Sequence, residues 1–104
     1  MKIGLHTRLR PGVAARYDEL HRAVPRELVD AIRAAGFTEW HIFRQGEDLF
    51  HCIEVDDYEA AIAAIADLPV NVEWQATITE LMADADDYND ALRSHLELVW
   101  DLSW

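Results

Sequence analysis

Cysteine is almost missing from this chain. Cys52 is the single one among 104 residues, so no intrachain disulfide can form, and no C-x-x-C pair exists to suggest a metal or redox motif. Set in an apolar stretch, Cys52 reads as a small core residue. Basic residues are also scarce. Nine Lys and Arg face 20 Asp and Glu, for a formal net charge of −11. Such a field repels nucleic acid, anionic membranes and phosphorylated ligands, and it favours a small neutral ligand. No run of about 18 apolar residues is present, so no membrane span is expected. The opening MKIGLHTRLRP has no apolar signal-peptide core, which makes the cytoplasm the expected location. The four glycines are scattered and build no phosphate loop, and there is no G-x-S-x-G. The five histidines have neither H-x-H nor H-x-x-x-H spacing, so no metal is expected. What remains is a chain that is 51% apolar, enough for one domain over 1–104 with its own core.

The order of elements carries more information. Residues 2–9 alternate, with Ile3, Leu5, Thr7 and Leu9 on one face, which predicts a strand that Pro11-Gly12 ends. Over 13–35, Val13, Tyr17, Leu20, Val24, Leu28 and Ile32 recur at helical spacing, and Gly36 follows as a cap. Pro25 interrupts this pattern and crowds the carbonyl of His21, so the helix should kink or restart there. Residues 37–44 and 48–55 predict a hairpin around Gln45-Gly46-Glu47. Asp56 with Glu59 suggests a capped second helix carrying Tyr58, Ile62 and Ile65. Pro69 stops it, and Asn71 is the expected cap of a further helix with Trp74, Ile78, Leu81 and Met82. The acidic stretch 83–90 reads as an exposed loop. Residues 95–102 alternate again as a last strand, with Trp100 on a buried face beside Leu96, Leu98 and Leu102.

This order is β-α-β-β-α-β, with the second helix broken. It predicts an α+β, ferredoxin-like domain with an antiparallel sheet. Helices cover one sheet face. The other needs a cover, and a second copy of the chain supplies one, giving a dimeric barrel-like core.

Tyr17 and His21, four residues apart, share one face of the first helix. His transfers protons near neutral pH, and Tyr offers a hydroxyl on an apolar ring, so the pair suits a sugar hydroxyl. The same stripe also fits plain packing. Four tryptophans (Trp40, Trp74, Trp100 and Trp104) supply rings that can stack on the C–H face of a pyranose, or fill a core. The direction of Trp40 is left open by its alternation with Thr38 and Ile42.

Taken as an ordered set, several pieces resemble the L-rhamnose mutarotase family over nearly the whole length. They are Tyr17-x-x-x-His21 followed by Val24 and Glu27-Leu28, Ala34-Ala35-Gly36, Trp40-His41-Ile42-Phe43, Leu49-Phe50 with Glu54, Trp74 before Thr79-Glu80-Leu81-Met82, and Leu98-Val99-Trp100-Asp101-Leu102. The resemblance implies a dimeric ferredoxin-like enzyme that interconverts the α and β anomers of L-rhamnose without cofactor. It implies His21 as the proton donor and Tyr17 as a sugar contact. It places a second aromatic contact at Trp40, where the family often has Tyr, and a Trp-Trp pair at Trp74 and Gln75. Gln75 thus stands where the family has its second Trp, and the segment Arg22 to Arg26 also departs from it. Two rivals share the fold: a cofactor-independent or haem-degrading monooxygenase, with His21 as axial ligand, and a non-catalytic sugar-binding dimer.

Overall fold

The computed structural model describes residues 1–104. Strand β1 (Lys2–Arg8) is followed by helices α1 (Ala14–His21) and α2 (Arg26–Ala34). The hairpin β2 (Phe37–Gln45) and β3 (Asp48–Val55) comes next, then α3 (Tyr58–Ala66), α4 (Pro69–Thr79) and α5 (Ala85–Ala91). The sheet is antiparallel in the order β1-β3-β2. Its central strand pairs Leu5 with His51 on one side and Ile42 with His51 on the other.

Alternation sets the two faces. Ile3, Leu5, Thr7 and Leu9 from the β1 region, and Leu49, His51, Ile53 and Val55 from β3, all lie buried beneath the helices. The buried side chains form two clusters. One joins Ile3, Leu5, Phe37, Ile53 and Val55 to Tyr58, Ala61 and Ile65 of α3. The other joins Leu9 and Leu49 to Tyr17 of α1, Ile78 of α4, Leu81, Met82 and Tyr88 of α5.

The helix predicted over 13–35 does restart at its proline. Pro25 has φ −53° and sits just before α2, and its carbonyl accepts the first bonds of that helix, from Leu28 and Val29. The hairpin closes through Gly46, whose φ of +61° is the left-handed region that glycine enters without strain.

Several local expectations need correction. Asp57, not Asp56, caps α3, its carboxylate accepting from the Ala60 N–H. Pro69 opens α4 rather than merely ending α3, because its fixed φ and missing N–H suit a first helical position. Asn71 is therefore inside α4, where its buried amide donates to the Ile65 carbonyl and ties α4 to α3. The acidic stretch is not a loop. Asp84 accepts from the N–H groups of Asp86 and Asp87, its charge faces the positive end of α5, and Tyr88 anchors that helix in the core. Cys52 is exposed, since it points to the face opposite His51 and Ile53.

The last strand is also absent. Residues 95–102 lie beside β1 through one backbone bond, Leu96 N–H to the Gly4 carbonyl, with no ladder beyond it. Trp100 is 65% exposed, with Leu98, Val99 and Leu102 exposed around it. No layer of this chain covers that side, so alternation alone does not bury it. The rest of the open sheet face carries cross-strand rows Gly4–Cys52–His41 and His6–Phe50–Phe43, with Phe43 62% exposed.

Leu49 is fully buried at the centre of the sheet. Leu49→Ala should lower unfolding free energy by about 2–5 kcal/mol, read by urea denaturation at constant m.

Candidate active site

The sequence-selected residues come from three elements. Tyr17 and His21 lie on α1, Trp74 and Gln75 on α4, and Trp40 on β2. The Tyr17 and His21 rings stand 4.1 Å apart, and the Trp74 ring meets His21 edge-on at 5.2 Å. Helix geometry makes the first contact, because residues four apart stack along one side. The second arises because α1 and α4 both pack on the Leu9–Leu49 cluster. A bidentate pair helps seat α1 on the sheet: Arg44 of β2 donates to both carboxylate oxygens of Asp18, at 2.8 and 2.5 Å.

The hydrogen bonds of His21 define its usable nitrogen. Nδ1–H donates to the Tyr17 carbonyl at 2.9 Å, so proton exchange falls to Nε2. Burial pushes the Tyr17 phenol well above its ordinary range, with the Tyr88 and Asp18 charges adding to the effect. Tyr17 is therefore a neutral phenol, able to donate or accept. Gln75 is tied to α5, where its Oε1 accepts from the Tyr88 hydroxyl at 2.7 Å. Burial likewise raises the Tyr88 phenol, to about 12.

Trp40 owes its direction to an irregularity. The register of β2 against β3 shifts between Phe37 and Glu39. The extra residue at Thr38 lets Phe37 and Trp40, three apart, both face inward, with rings 5.0 Å apart. The Trp40 indole then donates its Nε1–H to His51 Nδ1 at 3.2 Å.

His51 is the residue that sequence reasoning passed over. It is 7% exposed, and its Nε2 lies 3.3 Å from Thr7 Oγ1. Indole is only a donor, so His51 Nδ1 must be the acceptor and Nε2 carries the hydrogen. Burial, with a smaller contribution from the His21 charge, lowers the His51 pKa to about 4. The alternation of Leu49, Ile53 and Val55 was the available signal, since it already turned position 51 inward.

No group of three or more His, Cys, Asp or Glu is arranged to hold a metal ion. His6, His41 and His95 do not join the site. His6 pairs with Asp48 at 2.9 Å on the open sheet face, His41 lies on that same face, and His95 meets Tyr58 edge-on. No helix is long and apolar enough to cross a membrane.

The family model for L-rhamnose mutarotase matches residues 2–102. The chain belongs to the L-rhamnose mutarotase family. Members are carbohydrate isomerases that interconvert rhamnose anomers. L-rhamnose mutarotase of Burkholderia orbicola (strain MC0-3) is 37% identical over 87 residues, covering 82% of this chain and 83% of that protein. The one from Sinorhizobium medicae is 30% identical over 104 residues, covering 97% of both. Among solved structures, L-rhamnose mutarotase from Formosa agariphila superposes with a TM-score of 0.74 at 20% identity, over 98% of each chain. Tetracenomycin F2 cyclase from Streptomyces glaucescens superposes with 0.70 at 18% identity, over 97% of this chain and 95% of that one. These two likenesses show the fold, a small α+β domain with an antiparallel sheet. The family match, not the fold, separates a mutarotase from an oxygenase.

A neutral buried His51 has a thermodynamic signature. Its folded pKa, about 4, lies below the unfolded value near 6.5. The unfolded chain thus binds the extra proton first, and stability falls as pH drops through that window. Between pH 6.5 and 5, above most carboxylate titration, wild type should lose about 1–2 kcal/mol that His51→Leu does not lose, measured by urea denaturation at each pH.

Proposed function

We propose that this enzyme opens and recloses the pyranose ring of L-rhamnose, or of a related 6-deoxy sugar, with His21 as the proton carrier. The observation that carries this reading is the Tyr17–His21–Trp74 cluster, in which Nδ1 is held by a backbone carbonyl and Nε2 is left for exchange. In the ring-opening step the C1–O5 bond breaks, O5 takes the proton from His21 Nε2, and the anomeric hydroxyl gives its proton to a base. Rotation about C1–C2 presents the other carbonyl face. Closure runs the same transfers backward, so the sugar gains and loses nothing overall.

Two groups are poorly suited as the base. The Asp18 carboxylate is engaged by Arg44, and both His51 nitrogens have partners. We assign the role to a water held by the Tyr17 hydroxyl, with the neutral phenol orienting it. Trp74 and Trp40 offer ring faces to the C–H surface of the sugar. Gln75 supplies amide donors where the family has a second Trp, its oxygen being taken by Tyr88. The acidic net charge of −11 suits a neutral sugar over its phosphate, and the reaction needs no cofactor.

The working unit in this reading is a homodimer acting on free sugar in the cytoplasm. What supports it is the open sheet face, with Phe43, Phe50 and the apolar C-terminal segment exposed. Two such faces packed together remove that surface from water.

Saturation-difference NMR should show faster anomer exchange of L-rhamnose with wild type, and a loss of about 10²–10⁴-fold in His21→Ala. L-Fucose and D-glucose in the same experiment define the substrate range, and no acceleration of any sugar contradicts the assignment. Sedimentation should give a dimer for wild type and a monomer for Phe43→Glu, because a buried unpaired carboxylate opposes the interface.

A further inference from the structure

The chain of contacts Trp40–His51–Thr7 crosses all three strands of the sheet beneath the helices, and ring opening makes no use of it. Each end restricts the next. Indole has one hydrogen to donate, and it goes to His51 Nδ1. That fixes the single N–H hydrogen of the neutral imidazole on Nε2, which donates to Thr7 Oγ1. Thr7 is itself 3% exposed, so no water competes freely for the bond. Phe37 packs against Trp40 at 5.0 Å, and the bulge at Thr38 sets the direction from which the indole enters.

We propose that His51 is a positioning and specificity-determining residue, which clamps the Trp40 indole so that Trp40 offers the sugar an apolar ring face and no hydrogen-bond donor. This rests on the reading of Trp40 as a sugar contact. The consequence is chemical. A tyrosine at this position presents a hydroxyl, whereas a clamped indole has already spent its polar group. It recognises a patch of sugar C–H groups and leaves any hydroxyl placed there unpaired. His51 does this as a neutral ring with both nitrogens engaged, so it moves no proton in the reaction. The low pKa agrees with that state.

Three variants test the clamp. His51→Leu removes the acceptor. His51→Asn puts a carbonyl oxygen near the Nδ1 position. Trp40→Phe removes the donor. In ¹⁵N-correlated spectra the Trp40 indole N–H, identified by its loss in Trp40→Phe, should shift and exchange faster with solvent in His51→Leu, and return toward wild type in His51→Asn. With L-rhamnose, His51→Leu should raise KM about 3–10-fold at a kcat within about twofold, as for loss of one orienting bond. In the Trp40→Phe background the same change should add no more than about twofold. Should His51→Leu not fold, Thr7→Val unlocks the tautomer, and the indole resonance should move in the same direction. An unmoved indole resonance, additive KM effects, or a fall in kcat at constant KM overturns the proposal. The indole measurement needs no sugar. A wild type that accelerates no anomer exchange therefore defeats the mutarotase assignment, while the clamp is still decided by the resonance.

Discussion

Everything in this fold depends on the double pairing of β3. A strand bonded on both edges cannot slip, because a shift of one residue exchanges its two faces. Fixed register puts Leu49, His51, Ile53 and Val55 under the helices and Phe50 and Cys52 on the open side. The inward row is the floor on which α1, α3, α4 and α5 pack. It is also the reason that one imidazole lies under the candidate site, while the imidazole with an unengaged nitrogen comes from α1. The two histidines differ in burial and in hydrogen-bond partners. His21 is half-buried with one free nitrogen, while His51 is buried with none.

Parity is adjusted at one place only. The bulge at Thr38 turns the remainder of β2 over by one residue relative to Phe37, so Trp40 faces inward. Without it, Phe37 and Trp40 would lie on opposite faces, and the indole would belong to the open side with His41 and Phe43. A single extra residue therefore decides whether the site has a ring on its sheet side.

The sequence made much of this legible, and the gaps have physical causes. Strong periodicity located β1, the hairpin and the Tyr17–His21 pair, and Pro25 marked the restart of the helix. Trp74 was visible because helical spacing from Asn71 to Met82 survives an error in the cap. Helix α5 was hidden, since Asp84–Asp90 is acidic and has one aromatic; its stability comes from the Asp84 cap and the burial of Tyr88, which are tertiary facts. His51 was overlooked because a histidine in a strand looks polar until its neighbours' burial is known. The segment 95–102 alternates like a strand, yet its apolar side chains stay uncovered within one chain. Its pattern belongs to a surface that one copy does not bury.

The proposed function requires the sugar to bind beneath the helices, against α1 and α4, with His21 Nε2 at the ring oxygen. A crystal structure with L-rhamnose tests it most directly. The ring oxygen should lie within about 2.6–3.2 Å of His21 Nε2, with the Trp74 and Trp40 rings against the C–H face of the sugar. A sugar on the open sheet face, or one beneath the helices out of reach of His21, would contradict it.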